Sequence, residues 1–162
     1  MGADGSWEPR LATPDDAEEV AQLLHDFNTE FVTPSPGAAV LAPRLRRLLA
    51  SPDTLAILVG TPSVAVALVT LRPNVWYAGP VALLDELYVV PERRGRGIGS
   101  QVIELLLRTA GERSVSLVEI NVDEGDTGAR RFYERHGFSA TEPGSTERAL
   151  YYSQELPEGA QR

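Results

Sequence analysis

The chain contains no cysteine and no lysine. Without cysteine there is no disulfide, no thiolate nucleophile and no zinc site built on sulfur. The missing lysine removes two more classes. A P-loop needs an ammonium group on the phosphates, and Schiff-base chemistry needs a side-chain amine. The 15 basic residues are therefore all arginine, and 23 acidic residues outweigh them to a net charge of −8. That balance argues against non-specific nucleic-acid binding, which requires a basic face, and it suits a cationic partner. No apolar run approaches the roughly 18 residues of a spanning helix. The opening "MGADGSWEPR" has no basic region followed by an apolar one, so no secretory signal is read there. The expectation is a cytoplasmic protein with neither a membrane nor a nucleic-acid partner. At 162 residues one domain is expected, over residues 1–156, with a tail at 157–162.

Residues 7–12 read as a first strand. Thr13, Pro14, Asp15 and Asp16 then give a helix start, and Val20, Leu23, Leu24, Phe27 and Phe31 recur at helical spacing, so a helix is expected over 14–30. "TPSPG" interrupts the chain, and "AAVLAPRLRRLLA" predicts a second helix with Leu41, Leu45, Leu48 and Leu49 inward. Two β-branched runs, "TLAILVG" and "SVAVALVTLR", flank Thr61-Pro62 as a hairpin. "GPVALLDELYVV" is a further strand, and it carries Asp85 and Glu86 inside an apolar run. A helix over 98–113, a strand at "SVSLVEINV", a short helix at "DTGARRFYERHG", a short strand near 138–141 and a closing strand at "RALYYSQEL" complete the order. This is a mixed α/β domain.

"ERRGRGIGSQVIELLLR" places three glycines at alternate positions between a strand and a helix. A structural turn, a nucleotide loop and a cradle for another phosphate are the candidates. The dinucleotide fingerprint is G-x-G-x-x-G after an opening strand, whereas here the spacing is G-x-G-x-G after roughly the fifth strand. Glycines let a ligand approach the amides closely, helix-start amides favour an anion, and Arg93, Arg94 and Arg96 add positive charge. A pyrophosphate fits these features.

The segment "VVPERRGRGIGSQVIELLL" resembles the acyl-CoA signature of the GNAT superfamily of N-acetyltransferases, a V-x-P followed by [QR]-x-x-G-x-[GA]. Val89, Pro91, Arg94, Gly97 and Gly99 occupy its positions. "DTGARRFYERHGF" resembles the second signature of the family. Ala129, Tyr133, Gly137 and Phe138 match it, and Asp126 stands where asparagine is usual. The two helices before the hairpin agree with the family's order of elements. The resemblance implies a twisted, largely antiparallel sheet with flanking helices that splays open near the cofactor. It also implies acetyl-CoA as cosubstrate, with its pyrophosphate on Arg94, Gly95, Arg96, Gly97, Ile98, Gly99 and Ser100, and its pantetheine arm along the main chain of Leu87, Tyr88 and Val89. Asp126 is the family's further cofactor position, although an aspartate cannot donate the amide hydrogen bonds of an asparagine.

Moving an acetyl group from a thioester to an amine requires a base for the amine, donors for an oxyanion and a proton for the thiolate. Asp85 and Glu86 are candidates for the first task, since charges within an apolar strand are costly unless used or paired. The alternative is that one of them simply faces solvent at a strand irregularity. Adjacent residues on a regular strand face opposite ways, so separate roles are expected. The pair resembles the acidic dipeptide of spermidine/spermine acetyltransferases, which implies a cationic amine. Tyr133 is the candidate acid, its phenol staying protonated at neutral pH; a helix tyrosine can equally be a packing residue. The Val89 N–H is the candidate oxyanion donor. Asn121 stands where some relatives carry a catalytic glutamate and cannot serve as a base. Asn28, Glu30 and Phe31 are candidates for the acceptor side, and a helix cap and a staple would read alike. No metal is implied. The expected function is N-acetyl transfer to a small, cationic primary amine in a ternary complex. Acetylation of a protein or peptide amine, and an acyl-CoA sensor without turnover, are the alternatives. Similar proteins are commonly dimers, and a homodimer is compatible.

Overall fold

The apolar run at residues 54–59 forms a strand, β2 (Thr54–Val59), in which every residue is buried. A strand covered on both faces reads as continuous hydrophobicity rather than as alternation. A computed structural model describes residues 7–157; residues 1–6, and all of the expected tail beyond Pro157, lie outside the described residues. These fall into two compact units divided between Ile120 and Asn121.

In the first unit five strands form one sheet in sequence order. β1 (Pro9–Leu11) and β3 (Ala65–Arg72) pair antiparallel with β2, and β4 (Val81–Val89) pairs antiparallel with β3. β5 (Leu117–Ile120) joins β4 in parallel after a crossover through helix α3 (Ile98–Glu112), as parallel neighbours require. Helices α1 (Ala17–Glu30) and α2 (Ala38–Leu49) cover one face. There Val20, Leu23 and Leu45 pack with Leu58, Val66 and Tyr88. Ile57, Ala67 and Val69 point the other way and are buried beneath α3, whose Val102, Ile103 and Leu106 are equally buried.

Two helix expectations are corrected. The first α-helix begins at Ala17, after a separate 3₁₀ turn at Pro14–Asp16, because the Asp16 carboxylate turns back to the Thr13 N–H and to Arg10. In α2 the buried stripe is Leu41, Ala42, Leu45 and Leu49, the i, i+4 spacing of one face; Leu48 lies off that stripe and is exposed.

The second unit holds helix α4 (Thr127–Arg135). The two strands expected at 138–141 and 148–156 do not form. Among the described residues of this unit the only strand-like pairing is the isolated bridge between Thr141 and Arg148. β propensity is a preference for a pleated partner surface, and within the unit that surface is a single bridge. The strand expected over 114–122 is likewise shorter, so Asn121 follows β5 rather than lying on it.

Candidate active site

The centre of β4 is where the sheet breaks its pattern. Leu68 pairs with Glu86 and Val69 with Leu84, so Asp85 is an extra residue, a β-bulge. A bulge leaves its residue out of the ladder and bends the strand. Paired residues share a face. Glu86, opposite Leu68, and Tyr88, opposite Val66, therefore lie on the α1/α2 face. Asp85 joins them there, because its Oδ2 accepts a hydrogen bond of 2.5 Å from the Thr70 hydroxyl, and Thr70 alternates with Leu68 along β3. The two acids thus share one face, contrary to the expectation for a regular strand. Thr70 was missed by sequence reasoning, since only the register of two strands brings it to Asp85.

Further along this face Arg72 pairs with Glu119 of β5 at 3.2 Å. Asp85 and Glu86 have no such arginine partner among the described residues. Burial, and then the neighbouring Asp85 charge, push the Glu86 carboxyl above the usual glutamate range. The sign of its stability contribution follows. A raised folded-state pKa means that ionised Glu86 costs stability as pH rises through that pKa, and protonated Glu86 does not. Glu86→Gln should therefore raise the melting temperature at pH 7, and the gain should vanish below roughly pH 4, where a glutamate carboxyl is protonated in the unfolded chain too. A lower melting temperature at pH 7 would mean that the carboxylate has a favourable partner instead.

β4 continues past its last pair with β5, Leu84 with Ile120, as far as Val89. The Val90 N–H bonds the Val64 carbonyl at 2.9 Å. By antiparallel alternation Tyr88 and Glu86 also spend their main-chain groups on β3, while Leu87 and Val89 turn theirs to the opposite edge, beyond the last pair with β5. Of the three residues expected to offer main chain to a pantetheine arm, two therefore face that edge. Tyr88 instead packs its ring on Phe27, with centroids 5.1 Å apart.

The glycine segment follows directly. Gly95 and Gly97 have φ of 73° and 80°, and a Cβ added to either would meet nothing within 4 Å. Both are therefore glycine for conformation and for open space on the side a ligand would take. Gly97 is the residue before α3, and the first-turn amides of Ile98 and Gly99 have no carbonyl within the helix to bond. Arg94 is committed elsewhere. Its Nε donates to the Val89 carbonyl at 2.9 Å and its terminal nitrogen to Glu30 at 2.5 Å. The segment thus fits a pyrophosphate through main chain, including the amides from Gly95 onward, with the Arg94 side chain tying β4 to the end of α1.

The other acceptor-side candidates are mixed. The Asn28 side chain donates to the Pro34 carbonyl at 2.9 Å and so shapes the loop between α1 and α2. Phe31 is exposed, edge-on to Phe27. In the second unit, Asp126 caps α4, its carboxylate accepting from the Ala129 N–H at 2.9 Å. An aspartate caps as well as an asparagine, which accounts for the departure from the signature. Tyr133 lies on α4 with its ring edge-on to Phe132 and Phe138. Asn121 is exposed.

No helix among the described residues is long and apolar enough to cross a membrane, and none of their acidic and histidine side chains group as metal ligands. An uncharacterised N-acetyltransferase of Methanocaldococcus jannaschii is 40% identical over 62 residues, 38% of this chain and 27% of that protein. The match thus spans about a quarter of that relative's length. A crystal structure of a protein from Arthrobacter sp. FB24, named as a candidate acetyltransferase, is 53% identical with a TM-score of 0.87, covering 96% of this chain and 99% of the other. An aminoglycoside N-acetyltransferase in complex with CoA has a TM-score of 0.75 at 17% identity, covering 96% of this chain and all of its own; at that identity the likeness is one of fold. Residues 18–138, which contain both signatures, match the family described as Acetyltransferase (GNAT) family, and the chain belongs to it.

Proposed function

We propose that this protein is an acetyl-CoA-dependent N-acetyltransferase acting on a small, cationic primary amine by direct transfer within a ternary complex, its two units serving one cytoplasmic catalytic domain. The observation that carries the acceptor reading is the β4 bulge. It sets Asp85 and Glu86 on one face, beside the main-chain groups of Leu87 and Val89. Two carboxyl groups so placed attract an ammonium ion, and the net charge of −8 assists its approach.

Bound acetyl-CoA supplies the activated acetyl group as a thioester. In this reading the chain's own residues divide the chemistry among them. Asp85, held by Thr70, is the fixed charge that receives the cation. Glu86, whose carboxyl binds a proton more tightly than usual, accepts the amine proton directly or through water. The Val89 N–H faces the edge of β4 left beyond β5, where a developing oxyanion would lie. The Tyr133 phenol returns a proton to the departing sulfur. Glu119 pairs with Arg72 and Asn121 cannot take a proton, which supports assigning the work to Asp85 and Glu86.

The test is thiol release from acetyl-CoA across a panel of diamines, polyamines, amino sugars and peptides with free N-termini. Diamines, polyamines or amino sugars should turn over fastest. Asp85→Asn with Glu86→Gln should raise their KM and flatten the rise of rate with pH, leaving acetyl-CoA affinity nearly unchanged. Turnover confined to peptide N-termini, or a double variant with ordinary acceptor kinetics, would overturn the acceptor reading.

A further inference from the structure

Trp7 closes one side of a small pocket that extends beyond the acyl-CoA signature. Its ring lies against Gly60, where an added Cβ would stand 3.1 Å from the ring carbons; glycine there lets the indole lie flat on the turn between β2 and β3. The Arg93 guanidinium in turn sits over the indole, 4.6 Å from its centroid. Arg96, Ile98 and Gln101 complete the lining, around a volume of about 110 Å³. Neither Arg93 nor Arg96 is ion-paired among the described residues, whereas Arg94 between them is bound to Glu30. Two arginines therefore border one pocket in a strongly acidic chain, one of them held in a fixed plane by an aromatic ring. A guanidinium oriented in advance loses less freedom on binding.

The ligand chemistry follows. A phosphomonoester carries about −1.5 to −2 charges and three acceptor oxygens, which matches two guanidinium forks and the Gln101 amide. Arg96 and Ile98 belong both to this pocket and to the glycine segment, so the pocket adjoins the pyrophosphate cradle, as two phosphate groups carried on one ribose require. We propose that the pocket of Trp7, Arg93, Arg96 and Gln101 binds the 3′-phosphate of CoA and makes the protein discriminate CoA from its 3′-dephospho form. This assignment rests on the acetyl-CoA reading above and adds residues that the signatures do not include.

Calorimetric titration of the whole chain with CoA and with 3′-dephospho-CoA, at one fixed salt concentration, tests it. Wild-type protein should bind CoA about 10- to 100-fold more tightly, the range of one or two charge-assisted hydrogen bonds. In Arg93→Gln/Arg96→Gln the preference should vanish, the two ligands binding alike. Dephospho-CoA binding by Arg93→Gln alone, at close to the wild-type affinity, reports an intact cradle. Trp7→Ala, which removes only the platform under Arg93, should leave a reduced preference, and with Arg93→Gln it carries the test if the double variant does not fold. Equal binding by the wild type, or a preference that survives in the variants, overturns the assignment and leaves the acetyl-CoA reading standing. Failure of the wild type to bind either ligand overturns both. Inorganic phosphate that competes with CoA but not with dephospho-CoA would support the site.

Discussion

Gly97→Asp is expected to abolish the thermal stabilisation that acetyl-CoA gives the wild-type protein while leaving a folded chain. A ligand specific for the folded state stabilises it by about 2.7 kcal/mol at 100 times its Kd, which raises the melting temperature of a domain this size by roughly 5–10 °C. ATP and NAD should give much less. The variant separates binding from folding because of where Gly97 stands. It precedes α3 with φ of 80°, and a Cβ there meets no protein atom within 4 Å. Aspartate is among the residues best tolerated in left-handed backbone, and a carboxylate before a helix is a favourable cap. The cost to the fold is therefore small. The cost to the cosubstrate is large, since a fixed negative charge occupies the space a pyrophosphate needs. Gly97→Ala, which adds bulk and backbone strain without charge, should lose less. A folded Gly97→Asp protein with the wild-type acetyl-CoA shift would remove the glycine segment from the cosubstrate site, and equal wild-type shifts with NAD and acetyl-CoA would do the same.

What could be read from residues alone was whatever depends on one segment. The spacing of Leu41, Leu45 and Leu49 gives α2 its buried stripe, and the alternate glycines before Ile98 mark a helix start with open backbone. What could not be read depends on pairs of segments. The run containing Asp85 and Glu86 looks like a regular strand, in which adjacent residues diverge. Only the register against Leu68 and Val69 reveals the bulge that brings both acids to one face. Thr70 escaped notice for the same reason, and so did the pocket at Trp7, which is made by that residue ahead of β1 and by the segment after β4 with the start of α3. The closing strand was misread because Leu150, Tyr151 and Tyr152 have strand propensity but remain exposed, with no ladder among the described residues. Asp126 illustrates the reverse case. The exchange of asparagine for aspartate looked like a functional departure, and the cap on Ala129 shows a local structural task that either residue performs.

Tyr133→Phe is the sharpest probe of the chemistry, because it separates ring from hydroxyl. The Tyr133 ring meets Phe132 and Phe138 edge-on, with centroids 5.1 and 5.9 Å away. Phenylalanine keeps both ring contacts and removes the hydroxyl with its proton; the variant should still fold and bind acetyl-CoA. General acid catalysis typically contributes ~100- to 10,000-fold, and turnover with the preferred amine should fall by an amount in or below that range while the acceptor KM changes little. The loss should be greatest where protonation of the departing thiolate limits the rate. An acyl donor whose thiol is more acidic needs less help from a proton donor, so the gap between variant and wild type should narrow with it. That narrowing separates an acid from a packing residue, because a merely displaced helix would slow both donors alike. Unchanged turnover in the variant, with the chemical step shown to be rate-limiting, would return Tyr133 to the aromatic cluster of α4 and leave the sulfur to take its proton from water.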